Sequence, residues 1–227
     1  MGPSGITQRT LFNLEKESLL ASGIKDRGKL VEYRRKLDQL NKQFLRRIKP
    51  PDQPKERARA LFNWLWERKP SRYKPRGPFR LNDVIDAELS QGSWAVGNCL
   101  GLTLLYHCLL RKMGIHAGAL YLENAFDMGP HVLTLLQTEA SMIDIENILP
   151  DGFDYKGHLD NPSRTTWGDR ELVADIYHSL GNECFEKGKF DKALDNYERA
   201  IHLNPHYEKA HLNKSILLEK VEEKKVR

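Results

Sequence analysis

Three residues whose types support nucleophilic chemistry follow one another along the chain: Cys99, His131 and Asp144. A cysteine thiolate can attack the carbonyl carbon of an amide, a histidine can take the thiol proton, and a carboxylate can orient the imidazole ring. If the fold brings these side chains together, they form a triad that cleaves an amide or transfers its acyl group through a thioester on Cys99.

Cys99 lies in the sequence Gly-Asn-Cys-Leu-Gly at 97–101, where an almost wholly apolar segment begins. We predict a buried helix over 97–113, with Cys99 in its first turn. There the helix dipole and the unpaired backbone amides favour a thiolate, and the same amides can donate to an oxyanion.

The histidine and the aspartate fall in segments that we predict to be strands. The sequence predicts three extended segments, over 117–123, 131–137 and 141–147. A polar turn at 138–140 joins the second and third into an antiparallel hairpin. We expect this hairpin to place His131 roughly opposite Asp144, with both side chains on one face.

Each of the three residues taken alone has a structural explanation. Cys99 could be a small buried apolar residue, His131 an ordinary strand histidine, and Asp144 a partner for a backbone amide. Their occurrence together, in this order and on suitable elements, favours a shared site. Cys108 and Cys184 are predicted to be core residues.

Near the C-terminus, residues 174–207 carry a repeat signature of aromatic and small residues at fixed spacing. Tyr177, Gly181, Ala193, Ala200 and Pro205 occupy positions that resemble those of a tetratricopeptide repeat, a pair of antiparallel helices. One such unit cannot bury its apolar face alone, so we expect it to dock on the rest of the chain or on a partner. Candidate peptide-binding residues are Tyr177, Asn182, Lys189 and Asn213.

Residues 55–150 resemble the transglutaminase-like superfamily. The resemblance rests on the glycine-flanked Cys99, on Gly114-Ile115 at the end of the buried helix, and on a His-led strand followed by an Ile-Asp-Ile strand. With its repeat-containing tail, the chain resembles the SirB1-like proteins of bacteria. The resemblance implies a papain-type fold with Cys99 as nucleophile, His131 as base and Asp144 as its orienting partner. Papain-type sites also use a side-chain donor to the oxyanion upstream of the cysteine, and the alternatives for it are Gln91, Trp94 and Asn98.

Members of this superfamily include peptidases, amidases, acyl-transferring crosslinkers and proteins whose triad has decayed. The chain therefore has two alternative functions. One is a cysteine-dependent amide hydrolase or acyl transferase. The other is a catalytically inactive scaffold whose repeat unit mediates protein–protein interaction. The sequence contains no dense acidic cluster typical of a calcium site, and we expect neither a metal nor a cofactor. Four histidines show no metal-ligand spacing and are assigned no role: His107, His116, His158 and His178.

The expected architecture is α+β, with a buried helix packed on a small antiparallel sheet. Helices are predicted over 7–22, with Thr7 as N-cap, over 26–48 and over 54–67, before a proline-rich loop that reaches Phe79. The expected division is 1–52 N-terminal helices, 53–150 transglutaminase-like core, 151–169 linker, and 170–227 tetratricopeptide unit with a capping helix over 208–224.

Composition narrows the environment and the partners. The chain of 227 residues has 40% hydrophobic and 30% charged residues, three cysteines and a net charge of +5. The absence of long apolar runs, of a secretory signal and of a cysteine framework leads us to expect a cytoplasmic protein without membrane spans. Because the basic residues alternate with apolar ones at helical spacing, we expect solvated helix faces rather than nucleic-acid binding. A protein or peptide is the expected substrate or partner, and the oligomeric state is left open.

Overall fold

The computed structural model describes residues 12–49, 51–92, 94–139 and 141–226, without the side chains of 224–226. These residues form a mixed structure of helices and one small sheet. The helices are α1 (Leu14–Ala21), α2 (Arg27–Arg47), α3 (Pro54–Arg68), α4 (Leu81–Leu89), α5 (Cys99–Lys112), α6 (Asp169–Glu186), α7 (Phe190–Leu203) and α8 (Glu208–Val226). The strands are β1 (Gly118–Leu122), β2 (His131–Gln137), β3 (Met142–Ile145) and β4 (Thr165–Trp167).

The four strands form one antiparallel sheet in the order β3-β2-β1-β4. The first three strands lie within the three extended segments that the sequence predicts. The predicted turn between β2 and β3 includes Ala140, which lies outside the described residues. The sheet and α5 together form the core on which the candidate site is built.

Helix α5 packs against β2 and is buried on almost every side, as its apolar sequence predicts. Its few polar side chains are paired inside the core. The hydroxyl of Thr103 donates to the backbone oxygen of Val132 at 3.3 Å, and Nδ2 of Asn147 donates to the hydroxyls of Thr103 and Thr134 at 3.1 and 2.8 Å. These bonds satisfy buried polar groups and fix α5 against the sheet.

The N-terminal helices agree with the sequence prediction in part. Helix α2 begins after Asp26, whose side chain accepts from the backbone amide of Lys29 at 2.8 Å. Helix α1 begins after Asn13, and the predicted cap Thr7 lies outside the described residues. Helix α4 was not predicted, although its buried residues Leu81, Val84 and Ile85 follow helical spacing.

The segment 151–169 is not a free linker. It contributes β4, which pairs with β1, and Trp167 stacks on Tyr121 with ring centroids 4.1 Å apart. Its glycine, aspartate and asparagine residues predict turns correctly, but composition alone does not tell a turn-rich packed segment from a linker. This segment therefore belongs to the core, where it covers one side of the candidate site.

Helices α6 and α7 form the hairpin expected of a repeat unit, and α8 follows them. The hairpin docks on the core: Asp169 at the start of α6 pairs with Arg111 at 2.6 Å, and Glu183 near its end pairs with Arg80 at 3.2 Å. A docked unit is one of the two outcomes that the sequence predicts. None of the helices in the described part of the chain is long and apolar enough to cross a membrane.

Candidate active site

Cys99 is the first residue of α5 and is half-buried. The side chain of Asn98 caps the helix and accepts from the backbone amide of Gly101 at 3.0 Å. Cys99 thus lies in the first turn, as predicted, beside the positive end of the helix dipole and amides that have no partner within the helix.

The glycines on either side of Cys99 have a steric reason. A Cβ on Gly101 would lie 2.5 Å from the backbone oxygen of Pro78, and one on Gly97 would lie 2.9 Å from the same atom. The same oxygen accepts from the backbone amide of Asn98 at 3.0 Å. The loop before α4 therefore packs directly on the start of α5, and only glycine fits at both positions.

The three predicted oxyanion donors differ in their surroundings. Trp94 is 62% exposed. Gln91 is exposed as well. Asn98 directly precedes Cys99, and its side-chain oxygen is used in the helix cap. Among the three, Asn98 is the one that the fold holds in a defined position next to Cys99.

His131 is the first residue of β2 and is buried. Its Nε2 lies 2.9 and 2.8 Å from the two carboxylate oxygens of Glu146. Burial by itself lowers the pKa of His131, but hydrogen bonds with the Cys99 thiol and the Glu146 carboxylate outweigh burial and raise it to about 10. Because Nε2 faces Glu146, the nitrogen left for the thiol is Nδ1.

The predicted pairing of His131 with Asp144 is wrong. In the observed register, Asp144 lies opposite Leu135, four residues farther along β2 than His131. The Asp144 carboxylate instead accepts two hydrogen bonds from the guanidinium of Arg164, at 2.6 and 3.0 Å. The sequence contains the right residue types, but it does not fix the register of the hairpin.

Glu146 takes the place that the sequence analysis assigned to Asp144. Side chains two residues apart in an extended segment point to the same face, so Glu146, which directly follows β3, lies on the face of Asp144 and closer to His131. Its side chain is fully buried. Burial raises the pKa of Glu146, but hydrogen bonds from His131 and His158 outweigh burial and hold it below its ordinary value.

His158 is the residue that sequence reasoning missed. It is buried, and its Nε2 lies 3.0 Å from the Oε2 atom of Glu146. It stands alone in a turn-rich segment, so no motif or spacing marks it. One feature of the same segment does relate to the site: Gly152, where a Cβ would lie 2.0 Å from the backbone oxygen of Glu146. That contact shows that the segment must press closely on the end of β3.

Aromatic rings enclose the two histidines. Phe126 packs edge-on against His131 and His158, with centroid distances of 5.7 and 4.8 Å, and Tyr155 lies 5.0 Å from His158. Phe126 has a φ of 53°, a left-handed conformation that is uncommon for a bulky residue. A groove of about 460 Å³ opens beside these rings, and Asp127 also lines it.

Three of these residues could also bind a metal ion. Ligand atoms of His131, Glu146 and His158 all lie within 4.8 Å of one another, and two imidazoles with one carboxylate suit zinc or ferrous iron. The same atoms are already at hydrogen-bonding distance. The hydrogen bonds account for the arrangement without an ion.

The candidate peptide-binding residues of the repeat unit divide into two groups. Nδ2 of Asn213 donates to Oδ1 of Asn182 at 2.8 Å, and that oxygen also accepts from the Tyr197 hydroxyl at 2.9 Å. Both asparagines therefore pack the helices together. Tyr177 lines a groove of about 400 Å³ between α1 and the repeat unit, and Lys189 is exposed before α7. A peptide-binding role for these residues stays a prediction.

Comparison with known families supports the repeat. The family model of the tetratricopeptide repeat matches residues 174–207, the range that the sequence pattern predicts. The chain matches no curated protein and no solved structure. Residues 174–207 thus form a tetratricopeptide repeat, which points to protein partners, while the core is characterised by its geometry alone.

Proposed function

We propose that the core is a cysteine-dependent amide hydrolase or acyl transferase of the transglutaminase-like, papain type. Cys99 is the nucleophile, His131 the proton acceptor and Glu146 the carboxylate that orients the imidazole. The observation that carries this proposal is the placement of His131: its Nε2 lies 2.8 Å from a fully buried carboxylate, and the Cys99 thiol at a helix N-terminus contributes to its raised pKa. A nucleophile, its base and an orienting group are the three roles that acyl transfer through an enzyme thioester needs.

The raised pKa of His131 favours an imidazolium in the resting site, and an imidazolium next to a cysteine favours the reactive thiolate form. The thiolate sulfur attacks the carbonyl carbon of an amide, and its electron pair forms the new carbon–sulfur bond. The amides of the first turn of α5 donate to the developing oxyanion. When the carbon–nitrogen bond breaks, His131 gives its Nδ1 proton to the leaving amine and the thioester remains on Cys99.

His131, now neutral, takes a proton from the second nucleophile as that nucleophile attacks the thioester carbonyl. Water gives hydrolysis, and an amine gives transfer of the acyl group. In either case the thiolate of Cys99 leaves and the imidazolium of His131 is restored. Glu146 keeps Nε2 protonated and Nδ1 directed at the sulfur throughout.

The second candidate function is protein–protein interaction through the repeat unit. It is favoured by the match of the tetratricopeptide repeat family to residues 174–207. In this case the core positions the repeat and need not catalyse a reaction. The two functions are compatible, because a repeat unit can bring a protein substrate to the core.

Alkylation of Cys99 by iodoacetamide, followed by mass spectrometry from pH 5 to 9, tests the catalytic proposal. An ordinary thiol has a pKa of about 8.5 and reacts slowly at pH 6. We expect Cys99 to react rapidly at pH 6 and its rate there to fall in His131→Ala. Cys184, also half-buried but without a histidine partner among its described contacts, is the internal control.

A Cys99 rate that follows the Cys184 rate across the whole pH range would reject the proposal. So would a rapid rate at pH 6 that does not change in the His131→Ala variant. The repeat unit would then be the place to look for function.

A further inference from the structure

We infer that His158 is a positioning residue for the site: it holds the Glu146 carboxylate in the orientation that directs His131 at Cys99. This inference rests on the proposed function, because it assigns His158 to that same site. His158 does not face the thiol and is not given a role in moving the substrate's protons.

The hydrogen bonds of Glu146 give the first reason. A carboxylate that meets a single imidazole can rotate or slide along it, whereas the Oε2 atom of Glu146 is held by Nε2 of His131 at 2.8 Å and Nε2 of His158 at 3.0 Å. The backbone amide of Glu146 also donates to the oxygen of Gly152 at 2.8 Å. The carboxylate is therefore fixed from both sides and from its own main chain.

The packing of His158 gives the second reason. Phe126 and Tyr155 contact its ring, with centroid distances of 4.8 and 5.0 Å, and its side chain is only 4% exposed. A histidine that served only to fill space would not need Nε2 directed at a buried carboxylate. The aromatic contacts fix the plane of the His158 ring, and in that orientation Nε2 reaches the Glu146 carboxylate.

The backbone of His158 gives the third reason and accounts for Asp144. The guanidinium of Arg164 donates to the backbone oxygen of His158 at 2.9 Å while it is held by both oxygens of Asp144. Asp144 thus fixes the segment that carries His158, and it acts on the site through Arg164 rather than through His131. The two carboxylates of the Asp-Ile-Glu sequence have separate tasks.

Variants of His158 test this inference by the rate of Cys99 alkylation at pH 6. Glutamine places an amide NH₂ where Nε2 lies, and phenylalanine keeps the ring without a donor. We expect His158→Phe to lower the rate about tenfold, the size typical of losing one hydrogen bond to a charged group, and His158→Gln to restore most of it. His206→Phe, on an exposed histidine of the repeat unit, is the matched control.

A second measurement does not depend on the chemistry of Cys99. In the Cys99→Ala background, nitrogen-15 NMR of labelled histidine reports the tautomer and the pH titration of His131. We expect the protonated form of His131 to lose its proton at a lower pH in His158→Phe than in His158→Gln. Because phenylalanine could disturb folding, Arg164→Gln provides an independent variant that loosens the segment while leaving His158 intact.

The outcomes separate the two proposals. If Cys99 of the unmodified protein reacts as an ordinary thiol, the proposed function fails, and the NMR titration alone then decides the role of His158. If Cys99 is reactive at pH 6 but His158→Phe and His158→Gln react alike, the inference is overturned and the proposed function stands. An increase in activity or a shift of the histidine resonances on adding one equivalent of zinc, abolished in His158→Gln, would also overturn it in favour of a metal site.

Discussion

Two regions of the molecule bury a histidine, and they hold it in different ways. In the core, His131 lies between a carboxylate and a thiol. In the repeat unit, His178 lies between the hydroxyl of Tyr207 at 3.1 Å from Nδ1 and the amide of Asn213 at 3.0 Å from Nε2. The two rings therefore differ in their hydrogen-bond partners: a carboxylate binds His131, whereas a hydroxyl and an amide bind His178.

The repeat network is satisfied without any net charge on the ring. Asn213 donates to Nε2 of His178, so the ring proton is on Nδ1. Nδ1 donates a hydrogen bond to the Tyr207 hydroxyl, which in turn donates to Asp175 at 2.7 Å. In the core, by contrast, Glu146 and Cys99 both favour the charged ring. The His178 ring thus bonds to neutral groups, whereas the surroundings of His131 favour a positive charge on its ring.

The largest expected effect separates Glu146 from Asp144. Glu146→Gln keeps the shape of the side chain but removes the charge that orients His131, so the rate of Cys99 alkylation at pH 6 should fall roughly 100-fold. Asp144→Asn, two residues away on the same face, should change it less than about tenfold, because Asp144 acts through Arg164. If both variants lowered the alkylation rate equally, the two carboxylates would not have the separate roles assigned to them.

The next effect concerns fit in the repeat unit. A Cβ on Gly181 would lie 2.4 Å from the ring of Tyr197. Alanine usually favours a helix over glycine by about 1 kcal/mol, but overpacking costs about 1–3 kcal/mol. We expect Gly181→Ala to lower the free energy of unfolding by about 1–2 kcal/mol in urea denaturation. Lys192→Ala, on the exposed side of α7, is the control, and a stabilised Gly181→Ala variant would mean that the helices are not in close contact there.

A smaller effect is the pH dependence of stability. The pKa of His131 is raised to about 10 in the folded protein, from about 6.5 for an ordinary histidine. Its contribution to stability is therefore complete below about pH 6.5 and is lost as the pH rises through the folded pKa. Between pH 6.5 and 10, the free energy of unfolding should therefore fall more in the unmodified protein than in His131→Gln.

Chemical denaturation at several pH values measures this difference. Because His131→Gln removes the titrating ring, equal pH dependence in the unmodified protein and in this variant would contradict the prediction.

The smallest effect is expected at Trp94. Its side chain is 62% exposed, so Trp94→Ala should change the free energy of unfolding by less than about 0.5 kcal/mol. If the oxyanion is bound by the backbone of α5, the alkylation rate of Cys99 should also change less than about twofold. A large loss of rate with unchanged stability would restore Trp94 as a site residue.

Much of the fold follows from local patterns that can be read in the sequence. The all-round apolar segment predicts the buried helix α5, and apolar residues at steps of three or four predict α2. The repeat at 174–207 is found because its spacing is local and its small residues have fixed places. In each case the residues that interact are within one or two turns of each other, or follow a fixed period.

The tertiary structure determined the contacts between residues that lie far apart in the sequence. The sequence by itself placed Cys99 at a helix start and His131 at a strand start, but the partner of His131 depends on the register of β2 and β3. A shift of two residues keeps every side chain on its face, so the hydrophobic pattern does not discriminate between Asp144 and Glu146. His158 joins the site only because the turn-rich segment folds back on β3, and a single histidine in such a segment carries no signal of where its ring will lie.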